Sequence, residues 1–306
     1  MSALAERMRL VPLRSRLLLA GTVLYLALIF GVMLWRGISI EPEWVVLALL
    51  LVAIALGRGR SFIVDWLPFL VLFLAYEEMR GFAAKTGFAP HDLSGLERFV
   101  FFGNLPTLSL QQAFYRPGVV SWQDLVAMFF YFMHFPLPIV VGFFFWIRSR
   151  EHYRHFIGAL LLMCFTAFAV YLFFPSAPPW YQLQGQVVKI NNETVSLLWQ
   201  GKYFVSEIYT SFNPNKFAAF PSLHAAFPAL AAAYAWPRYR VLALGLIAWS
   251  LAVLVSIVYL GEHYVVDAIA GYVFVAFAYA VVELLSRWLS RRQAKPAPAT
   301  PATPSA

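Results

Sequence analysis

The chain has 306 residues, 61% of them hydrophobic and only 12% charged, with a formal net charge of +8. A water-soluble domain of this length does not tolerate such an excess of apolar residues in long runs, so the composition specifies an integral membrane protein. The basic residues flank apolar segments in short clusters instead of forming one aromatic-interleaved stripe, which argues against a nucleic-acid partner and makes the charge a signal of topology.

The apolar runs are continuous and lack the alternation of a membrane β-strand, so the spans are expected to be helices. Arg7, Arg9, Arg14 and Arg16 precede the first run, as in a signal peptide, but the run is longer than an ordinary signal core and no small-residue cleavage site follows. It is expected to be retained as a span at residues 16–35. Further spans are expected at 44–56, 62–79, 122–146, 156–174, 221–236, 241–259 and 263–285, giving an all-α, polytopic helical membrane protein of about eight transmembrane helices.

With the N-terminus inside, fifteen of the 23 Lys and Arg residues fall in short inner segments and the other eight in much longer outer ones. The positive-inside rule therefore puts both termini in the cytoplasm. Two long outer loops, 80–121 and 175–220, are rich in Gly, Pro, Asn and aromatic residues and suit a structured interfacial cap. Within the first, 91–102 reads as a short amphipathic helix on the outer interface, with Asp92, Glu97 and Arg98 solvated and Leu96, Phe99 and Val100 in lipid. Ser121-Trp122-Gln123-Asp124 reads as an N-cap box.

Cys164 is the single cysteine, so no intramolecular disulfide is possible. The expected organisation is a basic cytoplasmic segment at 1–15, two N-terminal spans at 16–60, a catalytic transmembrane core at 61–290 and a disordered cytoplasmic tail at 291–306.

Two short motifs carry the chemistry. Pro221-Ser222-Leu223-His224 opens the sixth expected span, with proline at a first helical position and Ser222 and His224 in the first turn. A helix N-terminus offers free backbone N–H groups to a phosphate oxygen, and the Ser222 hydroxyl adds a donor. Gly261-Glu262-His263-Tyr264-Val265-Val266-Asp267 opens the eighth span on the same outer face. His263 and Asp267 are spaced to lie one above the other on a helix, so the carboxylate can orient the imidazole and leave its other nitrogen free as a nucleophile or base. Arg80, Arg116 and Lys216 are candidate basic contacts to phosphate. His134 is expected about 20 Å below the outer end of the fourth span, too deep to join this site, and His152 and His155 fall in an inner basic loop.

Phe-Pro-Ser-Leu-His at 220–224 and Glu-His-Tyr-Val-Val-Asp at 262–267 resemble the type 2 phosphatidic acid phosphatase (PAP2) superfamily, most closely the branch of the inositol phosphorylceramide synthases, which are inositolphosphotransferases. Pro-Ser-Ala-Pro-Pro-Trp at 175–180 and Tyr-Phe-Met-His-Phe-Pro at 131–136 add to the likeness. The resemblance implies a six-helix catalytic core in which His263 attacks phosphorus, Asp267 orients it and His224 is the general acid. It also implies a lipid phosphate or phospholipid substrate, an alcohol or lipid acceptor, and no metal or other cofactor. The chain departs from the wider superfamily at Leu223, Ile257 and Ser109, where glycine, arginine and lysine are usual, and these departures favour the synthase-like branch.

The activity expected is thus a metal-independent phosphotransferase or phosphatase at the outer face of a bacterial plasma membrane. A plain lipid phosphate or pyrophosphate phosphatase would use the same residues with water as acceptor. A lipid transporter or flippase would instead place its ionisable groups near the bilayer midplane.

Overall fold

The computed structural model describes residues 42–83, 87–134, 136–198 and 215–293. The expected first span at 16–35, the basic segment before it and the tail beyond residue 293 lie outside the described residues. Among the described residues the chain forms twelve helices: α1 Pro42–Ala55, α2 Gly59–Ala83, α3 Ser94–Val100, α4 Pro106–Phe114, α5 Trp122–Phe132, α6 Pro136–Arg148, α7 Arg150–Phe173, α8 Pro179–Gln182, α9 Ile190–Leu198, α10 Leu223–Ala235, α11 Arg240–Tyr259 and α12 Val265–Gln293. The fold is all-α, and two isolated parallel bridges, from His91 to Ser176 and from Ser176 to Ala218, tie the cap loops together.

Among the described residues, α7, α11 and α12 are long and apolar enough to cross a bilayer, and α5 with α6 provides a fourth crossing if that bent pair is one span. The chain is a multi-pass integral membrane protein. Exposed Leu51, Val64, Leu244, Val255 and Val273 cover its flanks with apolar side chains, which the hydrocarbon of a bilayer accepts as readily as a protein core does.

The fourth expected span, 122–146, is not one straight helix. It breaks between α5 and α6 with a bend of 50°. Pro136 and Pro138 have no N–H to donate to the carbonyls of Phe132 and His134, so the helical ladder is interrupted there.

Helix α10 sits at the centre, packed against α6, α7, α11 and α12. Its buried Ala225, Ala226, Ala231, Ala232 and Ala235 let these neighbours come close. The tightest approach is at Gly271 of α12, where an added Cβ would stand 2.3 Å from the Ser222 carbonyl oxygen. Only glycine admits that crossing.

Above the bundle, α3, α4, α8 and α9 build the cap. Gln111 of α4 donates to the carbonyls of Val188 and Tyr259 at 2.8 and 2.9 Å and accepts from the Val188 N–H at 2.9 Å. Glu193 of α9 accepts from the Tyr115 hydroxyl and from the Gly118 N–H. The capping box expected at the start of α5 is present, with Asp124 accepting from the Ser121 N–H at 2.7 Å.

Two local expectations are corrected. Glu97 is not solvated: it is buried and turned inward from α3 while Phe99 and Phe102 point outward. His152 and His155 lie on α7 and not in a loop, because α6 and α7 are separated by Ser149 alone, and His155 pairs with Glu283 of α12 at 3.2 Å.

Candidate active site

The site is built where the N-terminal ends of α10 and α12 meet. The Ser222 N–H donates to the Asp267 carbonyl at 2.9 Å, and the Tyr171 hydroxyl donates to the Pro221 carbonyl at 2.7 Å. Ser222 is in extended backbone, so α10 starts at Leu223, with Ser222 as its N-cap and His224 in its first turn. Pro221 thus precedes the helix instead of opening it.

His263 likewise lies just before its helix, since α12 begins at Val265. The N–H groups of Glu262 and His263 both donate to the Ile257 carbonyl, at 3.0 and 3.2 Å, closing a turn over the end of α11. Gly261 supplies the positive φ of +78° that this turn requires.

The predicted pair nevertheless forms. His263 Nδ1 stands 3.4 Å from Asp267 Oδ2, ion-pair range but longer than an aligned hydrogen bond. That oxygen also accepts from the Tyr264 N–H at 2.9 Å, so the carboxylate is shared between the imidazole and the helix start. Both side chains are buried. A carboxylate only accepts, so the proton between them belongs on Nδ1 and the lone pair on His263 Nε2. That lone pair faces His224 Nδ1 at 3.0 Å.

The two helix starts differ. The N–H groups of Val265 and Val266 on α12 donate to the two carboxylate oxygens of Glu97 at 3.0 Å each. Burial pushes the Glu97 carboxyl above its ordinary range, the two amides pull it back, and Asp267 adds to the rise. On α10, among the described residues, no side chain caps the first amides, which leaves them as the donors available to an anion. The Ser222 hydroxyl beside them is fully buried and finds no hydrogen-bond partner among the described residues.

His134 belongs to this cluster, contrary to the sequence expectation. The bend between α5 and α6 brings its ring centroid to 3.9 Å from that of His224, and Tyr131 stacks on His224 at 4.8 Å. A straight helix would have left His134 far below. Arg80 lies in the last turn of α2.

Arg116 is exposed after α4, and Lys216 is exposed with its Nζ 5.3 and 5.1 Å from the rings of Tyr181 and Phe217. Neither, among the described residues, makes a hydrogen bond or ion pair with the histidines. Glu262, next to His263, accepts from Asn191 at 2.9 Å and lies 3.6 Å from Lys189. Among the described residues no group of three or more His, Cys, Asp or Glu side chains is arranged to hold a metal ion.

Residues 91–281, which include both histidine motifs and most of the cap, match the family described as the PAP2 superfamily. The chain belongs to the PAP2 superfamily. The PAP2 match takes in every element of the site except α2, which carries Arg80. A protein named phosphoinositol dihydroceramide synthase, from Bacteroides thetaiotaomicron, is 27% identical over 272 residues, covering 82% of this chain and 87% of that protein. No solved structure matches the chain.

Proposed function

We propose that the protein is a lipid phosphotransferase of the inositolphosphotransferase type that works through a phosphohistidine at the outer membrane face. The observation that carries this reading is the alignment of Asp267, His263 and His224, in which a carboxylate backs one imidazole and that imidazole presents its lone pair to a second. His263 Nε2 attacks phosphorus, Asp267 holds the ring and supports its positive charge, and His224 protonates the leaving alcohol. A second alcohol then attacks the phosphohistidine and yields the product, with His224 acting as base.

The open amides of α10 and the Ser222 hydroxyl at its N-cap are the contacts assigned to the phosphate oxygens, because they lie at the helix start that carries His224, and Arg80 is assigned as the cation. Arg116 and Lys216 are further candidates from the cap. The mechanism needs no metal, since fixed donors and a cation offset the charge on the transferring group. The site's position at the ends of apolar helices supports a lipid substrate, which can enter laterally and keep its tails in the bilayer, and the outer face is the side the basic-residue pattern predicts. The synthase relative supports an inositol-phosphate head group and a ceramide-like acceptor.

The expected organisation of the chain carries over into this reading: about eight spans, two of them N-terminal to a six-helix core, both termini cytoplasmic, and a bacterial plasma membrane as the setting. Product analysis tests the function. Purified protein in lipid vesicles, given an inositol phospholipid donor, should form phosphorylinositol lipid only when a lipid alcohol acceptor is added. Release of free phosphate or inositol phosphate at the same rate without acceptor would make it a phosphatase or hydrolase instead.

A further inference from the structure

The mechanism above gives no role to His134, a buried titratable group at the site. His134 Nδ1 lies against the Tyr131 carbonyl oxygen. A carbonyl only accepts, so Nδ1 carries the proton and the bond fixes the plane of the ring. That ring packs on His224 with centroids 3.9 Å apart and planes 42° apart, while Tyr131 of the same bend packs on His224 at 4.8 Å and 21°. The third ring touching His224 is the nucleophile itself, with centroids 4.9 Å apart. The tilt of the His224 ring is therefore set by the α5–α6 bend.

We propose that His134 is a positioning residue for proton transfer, holding the His224 imidazole in the orientation from which it protonates the leaving alcohol. The inference rests on the reading of His224 as general acid. In the step concerned, the bond from His263 Nε2 to phosphorus forms as the bond from phosphorus to the leaving oxygen breaks. The bonding pair stays on that oxygen, which takes the proton from His224. An alkoxide needs this proton, whereas 4-nitrophenolate departs as a stable anion. Loss of acid orientation thus slows one kind of substrate selectively, and a merely structural defect slows both.

The test uses a matched pair of phosphate esters, one with an alkyl alcohol and one with 4-nitrophenolate as leaving group, on the full-length protein in vesicles, and reads release of the leaving group in the first turnover, before His224 has to act as base. His134→Ala is expected to lower that release from the alkyl ester about 100-fold, within the range that general acid catalysis supplies, and to leave release from the nitrophenyl ester little changed. His134→Phe keeps an aromatic face but loses the bond to Tyr131, and is expected to show the same selectivity, which preserves the test if the alanine variant does not fold. His224→Ala should give the same pattern more strongly. Equal losses on both esters, or no loss on either, in the His134 variants would overturn the inference. A His224→Ala variant without leaving-group selectivity, or a His263→Ala variant active on both esters, would instead overturn the mechanism beneath it.

Discussion

His263 Nε2 and His224 Nδ1 are 3.0 Å apart, so the lone pair of one imidazole accepts the N–H of the other. In a near-attack complex the nucleophile alone stands about 3–3.5 Å from the reacting atom. The leaving oxygen and its proton donor lie beyond the phosphorus, so the two nitrogens have to separate when substrate enters.

Removal of the nucleophile has the largest expected effect. His263→Ala should lower turnover by about 10⁴-fold or more, as loss of a covalent nucleophile does, with the protein still extracted and monodisperse in detergent. Steady-state rates near wild type would reject His263 as the attacking group.

In the proposed mechanism Asp267 acts through the ring it orients. Asp267→Asn retains the shape but replaces an acceptor-only group with one that also donates, so the His263 tautomer is no longer fixed. A fall of about 10⁴-fold in kcat, with KM little altered, is expected by analogy with the loss of a buried carboxylate behind a catalytic histidine. A change confined to KM would assign Asp267 to substrate binding.

Gly271 makes a packing prediction. A Cβ at this position meets the Ser222 carbonyl at 2.3 Å, whereas one at Gly245 meets nothing within 4 Å. Gly271→Ala should cost about 1–3 kcal/mol of stability, the range for overpacking, and should reduce activity by moving α12 away from Ser222 and His224. Gly245→Ala is the control and should leave turnover unchanged and thermal unfolding unchanged or slightly raised, since Ala is the better helix former by about 1 kcal/mol.

Glu97 predicts a pH effect on stability. Its carboxyl is raised above the ordinary value of 4.5, chiefly by burial. Between 4.5 and the folded value the unfolded chain binds fewer protons than the folded one, so this group's contribution falls as pH rises through that window and is constant above it. Glu97→Gln removes the titration and leaves one of the Val265 and Val266 amides with a poorer partner, at a cost of about 1–3 kcal/mol. Thermal unfolding of both proteins from acid to neutral pH should show the wild-type advantage shrinking as pH rises. A constant difference would mean that Glu97 does not titrate differently on folding.

The sequence made the His263–Asp267 pair legible because four-residue spacing at a helix start brings the two side chains to one face, even though His263 itself precedes α12. His224 was legible for a similar reason, as a polar group following Pro-Ser at the opening of an apolar run. His134 is not legible in this way, because depth along a straight span puts it far below the site, and the signal that corrects it is Pro136 and Pro138 just beyond it. Glu97 was missed since a charge on a short amphipathic helix looks solvated by pattern alone. The clue lay across the chain: Tyr264 offers no short polar side chain to cap α12, so the Val265 and Val266 amides need a carboxylate from elsewhere. Loop basic residues such as Lys216 gave no such clue, since nothing local fixes where a long side chain in a cap will point.

The central claim, covalent transfer through His263, is tested most directly by mass spectrometry of the protein after rapid denaturation at alkaline pH, following brief incubation with phospholipid donor and no acceptor. The account predicts a phosphorus-containing adduct on His263, absent from His263→Ala and discharged when a lipid alcohol acceptor is added before quenching. Full turnover with acceptor, but no adduct on His263 at any time point and a His263→Ala variant that still turns over, would contradict it.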